Sequence, residues 1–335
     1  MSEQSTLSPE DAPARSASAP AISVLVCTYN RPATLAKALA GCLAQEAPAP
    51  DGYEVIVADN SPDANARETV QAIAAKASVP VIYLSEPVPS ISGARNAAVH
   101  AARGAWLAFC DDDEEPTPVW LKTLHATALA TGADIVFGPV RPIFEGGRPP
   151  AFDPEGRLYA KRLHLPDQAF APVYGEQGHA ASLGAVGTCN VLVRRDCFEG
   201  DQPFDPRFGR TGGEDSDFFR RQVKAGRKIH WSEHAVVTEW TPKDRMTLGY
   251  MVERRVRESQ SHVRLLVKNA RSPVRTEAAL VLRGLVQAAV WILPAALARW
   301  LPAGLAARAQ FGYAAGRGKA FWRRSLGGAV KGAYN

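Results

Sequence analysis

The sequence predicts an α/β fold built on a parallel, Rossmann-like sheet, and three observations carry that expectation. Short, uninterrupted apolar runs recur at 22–27, 53–58 and 105–110, the composition of strands covered on both faces. Stretches with helical spacing separate them, such as Leu35, Leu39 and Leu43 within 34–45. Each run closes on polar residues, and the run at 105–110 closes on three consecutive aspartates, Asp111, Asp112 and Asp113. Strands alternating with helices at this spacing read as βαβ units.

Element by element, strands are expected at 22–27, 53–58, 79–84 and 105–110, with helices at 34–45, from Ser61 to Ala77, at 91–102 and at 118–130. A further strand follows at 134–140. Residues 141–184 are rich in Pro and Gly with weak periodicity, and a loop of that length is usually functional or mobile. A strand at 187–194, a helix at 215–225, short strands within 228–238 and a basic helix at 246–268 complete the expected order. No internal repeat is present.

The chain has 335 residues, 46% of them hydrophobic, enough for one large domain or one domain with an appendage. The formal net charge is +5, unevenly placed. After Arg299 only basic charges occur: Arg308, Arg317, Lys319, Arg323, Arg324 and Lys331. Such a tail suits an anionic surface, a membrane or a nucleic acid. Few aromatics accompany it, and the acidic strand ends would repel nucleic-acid phosphates, so nucleic acid is not the expected partner. The five cysteines are scattered with no Cys-x-x-Cys pair, which favours buried thiols in a reducing compartment over disulfides or a zinc site. Residues 1–20 lack an apolar core of the secretory type and read as a disordered leader.

Residues 284–298 are almost wholly apolar, short of the ~20 residues a spanning helix wants. Flanking Arg283 and Arg299, with Trp291, Trp300 and the basic tail, fit an interfacial or re-entrant helix. The other reading is a helix packed on the domain or on a second subunit of a homo-oligomer.

Polar clusters at successive strand ends carry the chemistry. They are Thr28-Tyr29-Asn30-Arg31, then Asp59-Asn60-Ser61, then Gly93-Ala94-Arg95-Asn96, then the aspartates. In open α/β sheets ligands collect at the carboxyl ends of strands. Stacked carboxylates there call for a cation, and hard oxygen ligands suit Mg²⁺ or Mn²⁺. Asp59 alone reads equally as a helix cap, Arg95 as a surface ion pair, and the aspartates as a solvated acidic turn. A second constellation, Gly212-Gly213-Glu214-Asp215, opens a helix whose dipole favours ionised carboxylates. A carboxylate held there can take a proton from an attacking hydroxyl, Asp215 being preferred over Glu214; helix capping is the alternative. Asp217 reads as structural.

Taken together, these motifs resemble glycosyltransferase family 2, most of all its bacterial exopolysaccharide and cell-envelope members, over about residues 21–241. The resemblance implies a nucleotide-diphospho-sugar donor, an A-type glycosyltransferase (GT-A) fold and inversion at the anomeric carbon. By it, Thr28, Asn30, Asp59 and Arg95 hold the nucleotide, with Tyr29, Arg31, Ser61, Asn96 and Asp112 as further donor contacts. Asp111 and Asp113 match the family's Asp-x-Asp, Asp113 as the firmer metal ligand and Asp111 as a ligand or a ribose contact. Asp215 matches the usual base position, and His234 falls where some relatives present a polar group.

The Gln-x-x-Arg-Trp signature of processive synthases is absent, and Glu253-Arg254-Arg255-Val256-Arg257 stands in its region. Addition of a single sugar is therefore expected; the resemblance implies a UDP-hexose as the commonest donor and a saccharide or lipid-linked acceptor. The arginines would grip the diphosphate of donor or acceptor, or form a solvated helix face. The expected division is a catalytic domain at 21–245, its nucleotide-sugar half at 21–140 and acceptor half at 141–245. A membrane-associating region at 246–335 would sit at the cytoplasmic face of the inner membrane. The loop from about Phe144 to Gly184, with His164, Tyr174 and His179, is the candidate for acceptor contacts or a lid. A sugar-nucleotide pyrophosphorylase would need a Gly-rich basic loop after the first strand, which 28–34 does not supply; a non-catalytic nucleotide-sugar-binding protein is the other rival.

Overall fold

The computed structural model describes residues 19–46, 51–173 and 186–323. Most of the expected leader, Tyr174 and His179 of the loop, and Arg324 and Lys331 of the tail lie outside the described residues. The chain opens with β1 (Ile22–Thr28), α1 (Pro32–Leu43), β2 (Tyr53–Asp59), α2 (Arg67–Ala74), β3 (Val81–Ser85), α3 (Ile91–Ala101) and β4 (Trp106–Asp111). The third strand starts later than expected because Pro80 lacks the N–H that a ladder needs. Next come β5 (Glu114–Pro116), α4 (Trp120–Thr131), β6 (Ile135–Phe137), β7 (Val140–Phe144) and β8 (Asn190–Arg194). Then follow α5 (Glu214–Lys224), β9 (Ile229–Trp231) and β10 (Val237–Thr241).

Seven strands form the main sheet in the order β3-β2-β1-β4-β8-β6-β9. Most neighbouring pairs are parallel, as expected, while β8 runs antiparallel to both β4 and β6. The chain reaches β8 through the long excursion after β7 rather than through a βαβ crossover, so nothing imposes a parallel return. The strand expected at 134–140 divides at Gly138-Pro139, β6 staying in the main sheet and β7 joining β10 and β5 in a second one. Asn190 fixes this corner, its Nδ2 donating to the Pro139 carbonyl at 2.9 Å and the Ala235 carbonyl at 2.8 Å.

Side-chain alternation along the strands fills both faces of the sheet. Val24, Val26, Val55 and Val57 pack with Leu35, Leu39 and Trp120 of α1 and α4. Leu25, Ile56, Leu107 and Phe109 pack on the other side with Ala94 and Ala98 of α3 and Phe218 of α5. The five cysteines are free thiols.

Three helices end the described chain: α6 (Leu248–Lys268), α7 (Pro273–Ala296) and α8 (Ala303–Ala320). α6 is tied to the body through Lys268, whose Nζ lies 2.6 Å from Asp205 and 2.7 Å from the fully buried Asp217. Asp217 is thus structural, as its position suggested. α7 and α8 pack closely where Gly284 and Ala288 meet Gly316. The apolar stretch forms a longer helix than the sequence suggested, because residues 273–283 join it. α7 is long and apolar enough to cross a membrane by length and composition, and only 17% of its most apolar window is buried.

Candidate active site

Register in the main sheet brings the polar strand ends to one edge. Thr28 pairs with Asp59, and Cys27 with Asp111, across parallel neighbours. Above this edge is a cavity of about 370 Å³, with the aspartate triplet on one wall and Gly212-Gly213-Glu214-Asp215 on another. The two acidic constellations, about a hundred residues apart in sequence, therefore face a single crevice.

The triplet is held by cations and a hydroxyl. Thr28 Oγ1 donates to Asp112 Oδ2 at 2.7 Å, and Arg31 NH1 donates to Asp112 Oδ1 at 3.0 Å. The same NH1 reaches Asp113 Oδ2 at 3.0 Å, and Arg245 NH1 meets that oxygen from the opposite side of the sequence, also at 3.0 Å. All three aspartates border the cavity, and both carboxylate oxygens of Asp112 are engaged by Thr28 and Arg31. Burial, reinforced by Asp113 and Asp112, lifts the Asp111 carboxyl to about 6 against the opposing Lys161 and Arg95.

No group of three His, Cys, Asp or Glu among the described residues has the geometry of a complete metal site. Two neighbouring carboxylates on a cavity wall are nevertheless the donor set that Mg²⁺ uses, since this ion takes one or two carboxylates and completes its shell with substrate phosphates and water, and Mn²⁺ suits the same oxygen ligands. The oxygens of Asp111 and Asp113 fit that requirement.

On the other wall, Gly213 has φ +99° and caps α5, a backbone conformation that side chains rarely adopt. This turn aims Glu214 and Asp215 from the helix N-terminus into the site. Glu214 is buried and ion-paired with Arg95 of α3. Burial raises its carboxyl to about 7, with Arg95 opposing and Asp215 adding to the rise. Asp215 is placed differently: its Oδ1 accepts from the Ser216 N–H at 2.6 Å, and its Oδ2 lies against Gly187, where a Cβ would come within 2.8 Å. A side chain at 187 would displace this carboxylate.

Several expected donor contacts are not brought to the cavity. Asp59 is fully buried, its carboxylate accepting from the Ser61 and Ala66 N–H groups at 2.9 and 3.0 Å and from the Tyr83 hydroxyl at 2.9 Å. That arrangement has the features of the helix-capping alternative. Ser61 Oγ accepts from the Asn30 N–H at 2.9 Å, and Asn30 Oδ1 accepts from Asn65 at 2.7 Å, so both brace the β1 and β2 loops. Asn96 exchanges two 2.9 Å hydrogen bonds with the Phe204 backbone and is structural. Arg95 does line the cavity, but its charge is directed at Glu214 and, at 4.0 Å, Asp111, instead of at an open phosphate position. Thr28, Tyr29 and Arg31 line the cavity with Asp111, Asp112 and Asp113; His164 and His234 do not.

Sequence reasoning missed Arg245, Glu239 and Tyr250, which close the cavity from beyond α5. Arg245 and Asp113 are 132 residues apart, and no spacing signal joins them. Lys161 of the loop was missed as well, 3.0 Å from Glu239 and 3.6 Å from the buried Glu114.

This strand order, the acidic triplet after β4 and the Glu-Asp pair opening α5 over the same cavity are the arrangement that the resemblance to glycosyltransferases of GT-A fold implies. The sequence model of the family "Glycosyl transferase family 2" matches residues 23–178. The succinoglycan biosynthesis protein ExoM of Rhizobium meliloti (strain 1021) is 36% identical over 250 residues, covering 74% of this chain and 76% of that protein. The glycosyltransferase AglE of Haloferax volcanii is 26% identical over 217 residues, 65% of this chain and 66% of that protein. Among solved structures, the mannosyltransferase PcManGT from Pyrobaculum calidifontis, in complex with GDP-Man and Mn²⁺, superposes with a TM-score of 0.57 at 19% identity, covering 92% of this chain and 89% of that one. The chain belongs to glycosyltransferase family 2 and has the GT-A fold.

Proposed function

We propose that this glycosyltransferase moves a single sugar, with inversion, from a nucleotide-diphospho-sugar to an acceptor hydroxyl in exopolysaccharide or cell-envelope glycan synthesis. One observation carries the reading: the Asp111–Asp113 wall and the Glu214-Asp215 wall border the same cavity. A donor whose diphosphate lies at the first wall presents its anomeric carbon toward the second. Exopolysaccharide synthesis is supported by the likeness to ExoM and to ExoO, a second succinoglycan biosynthesis protein of Rhizobium meliloti 34% identical over 116 residues. A UDP-hexose is the donor first to be tried; the GDP-Man of PcManGT makes GDP-linked sugars the second.

In this reading Asp113 and Asp111 would hold the divalent ion, which when bound neutralises the diphosphate and makes it a better leaving group. Arg31 and Arg245 stand beside Asp113 and complement the negative charge that collects there. Asp215 is the base, since Glu214 is engaged by Arg95. The acceptor oxygen attacks the anomeric carbon opposite the phosphate while Asp215 takes its proton. The bond from that carbon to the phosphate oxygen breaks, and its electron pair leaves with the nucleoside diphosphate. The transition state has oxocarbenium character, and an α-linked donor gives a β-linked product.

Residues 21–245 would form the catalytic domain, with 21–140 binding the donor and 141–245 facing the acceptor. The exposed apolar face of α7, with Val286, Val290 and Leu293 each more than half exposed, would lie in the inner membrane at its cytoplasmic face. Arg299, stacked 3.8 Å over Trp300, gives that end of the helix an interfacial anchor. The test of the reaction is a screen of nucleotide sugars for thermal stabilisation with and without Mn²⁺, because a ligand bound only by the folded state raises its melting temperature. A metal-dependent shift with one donor, followed by its transfer with inverted configuration, is the expected result; retention of configuration would rule out the mechanism.

A further inference from the structure

The acidic triplet leads directly into β5, so the second sheet bears on how its carboxylates are presented. The Asp111 N–H donates to Glu114 Oε2 on β5 at 2.9 Å, and the Asp113 carbonyl accepts from the Trp240 N–H on β10 at 3.1 Å. The first of these is a side-chain tether: a fully buried carboxylate ties down the backbone at one end of the turn. Glu114 stands directly opposite Glu239 in the antiparallel pairing of β5 with β10. Like charges facing each other across a ladder repel, and more strongly where little water screens them.

Lys161, in the connection between β7 and β8, supplies the opposing charge. Its Nζ lies 3.0 Å from Glu239 Oε2 and 3.6 Å from Glu114 Oε1, and its side chain is only 16% exposed. Its backbone is pinned at the same place. The Lys161 N–H donates to the Val140 carbonyl at 3.0 Å, and the Val140 N–H donates to the Lys161 carbonyl at 2.9 Å. Among the described residues Glu114 Oε1 has no hydrogen-bond partner, and Lys161 is the cation paired with it. Neither Lys161 nor Glu114 lines the donor cavity, so their effect on it passes through the Asp111–Asp113 turn. Lys161 does reach an adjoining cavity of about 550 Å³, which Asp215 also borders.

We propose that Lys161 is a positioning residue for the divalent ion. Its ammonium holds Glu114 in place against Glu239, and Glu114 fixes the backbone of the turn from which Asp111 and Asp113 reach the ion. Outer partners of this kind orient metal-binding carboxylates, and their loss typically costs about 10–100-fold in metal affinity or activity. The inference rests on the reading of Asp111 and Asp113 as the metal ligands. It gives the connection between β7 and β8 a task in donor binding.

The probes are UDP and GDP, titrated calorimetrically into the full chain with Mn²⁺ and again in chelator. Lys161→Met should lower the affinity seen with Mn²⁺ about 10–100-fold and leave the affinity in chelator as it is in the wild type. Lys161→Arg, keeping the charge, should recover much of the loss. Should Lys161→Met not fold, Lys161→Gln takes its place, with a smaller loss in the same direction and again none in chelator. Asp113→Ala reports on the underlying reading and should lose the Mn²⁺-dependent part of binding. If Asp113→Ala keeps that part, the metal reading itself fails. If Asp113→Ala loses it while the Lys161 variants bind as the wild type does, only the role of Lys161 is overturned. An equal loss in chelator would mark a general loss of structure and would also overturn it. So would impaired transfer with unchanged Mn²⁺-dependent affinity, which would make Lys161 an acceptor contact.

Discussion

Arg95 on α3 and Glu214 at the start of α5 form a buried ion pair that spans 119 residues of sequence and ties α3 to α5. It sets the division of labour between adjacent carboxylates. Glu214 is held by a guanidinium inside the protein, whereas Asp215 borders both cavities. Breaking such a pair by removing one partner leaves an uncompensated buried charge and costs about 3–5 kcal/mol. Arg95→Ala should therefore lower stability in a denaturant melt far more than a surface arginine would.

The same pair gives a pH dependence with a defined sign. Burial raises Glu214 to about 7 in the folded state, above its ordinary value of 4.5. Between those values the folded protein keeps a proton that the unfolded chain releases, so this group's contribution to stability is present at low pH and declines as pH rises to about 7. Its slope approaches about one proton, or about 1.4 kcal/mol per pH unit. Glu214→Gln should flatten the stability profile in that window. An unchanged profile would mean that Arg95 keeps Glu214 ionised throughout.

Asp215→Asn removes the proposed base and keeps the volume that Gly187 accommodates. Transfer should fall about 10²–10⁴-fold while the donor still stabilises the fold against heat. A normal turnover rate would move the base elsewhere.

Asp113→Ala should abolish metal-dependent donor hydrolysis and transfer, and retained activity in chelator would contradict the metal role. Arg245, 3.0 Å from Asp113, should matter in its own right. A hydrogen bond to a charged group is worth about 1.5–3 kcal/mol, so Arg245→Ala should weaken donor binding at least about tenfold. Titration with the donor in Mn²⁺ checks this.

Replacing Val290 and Leu293 by glutamate places charge on the exposed face of α7, away from its packing with α8. Flotation with vesicles containing anionic lipid should then lose the protein. An equal bound fraction for variant and wild type would show that α7 does not meet the membrane.

The strands and the acidic clusters were legible because their signals are local. An apolar run followed by Asp111-Asp112-Asp113, and a Gly-Gly turn before Glu214-Asp215, each announce themselves within a few residues. The antiparallel β8 was not legible, since direction depends on how the long excursion after β7 returns. The hydrogen bonds of Asp59 were not legible for a related reason. A carboxylate after a strand looks the same whether it meets a ligand or the N–H groups of Ser61 and Ala66. Arg245 and Lys161 were invisible because their partners, Asp113 and Glu114, come from distant parts of the chain.

The most direct measurement is a crystal structure of the full chain with Mn²⁺ and an unreactive nucleotide-diphospho-sugar analogue. The diphosphate should lie at Asp111 and Asp113, with the anomeric carbon turned toward Asp215. A donor seated outside this cavity, or one whose anomeric carbon faces away from Asp215, would contradict the shared crevice on which the mechanism depends.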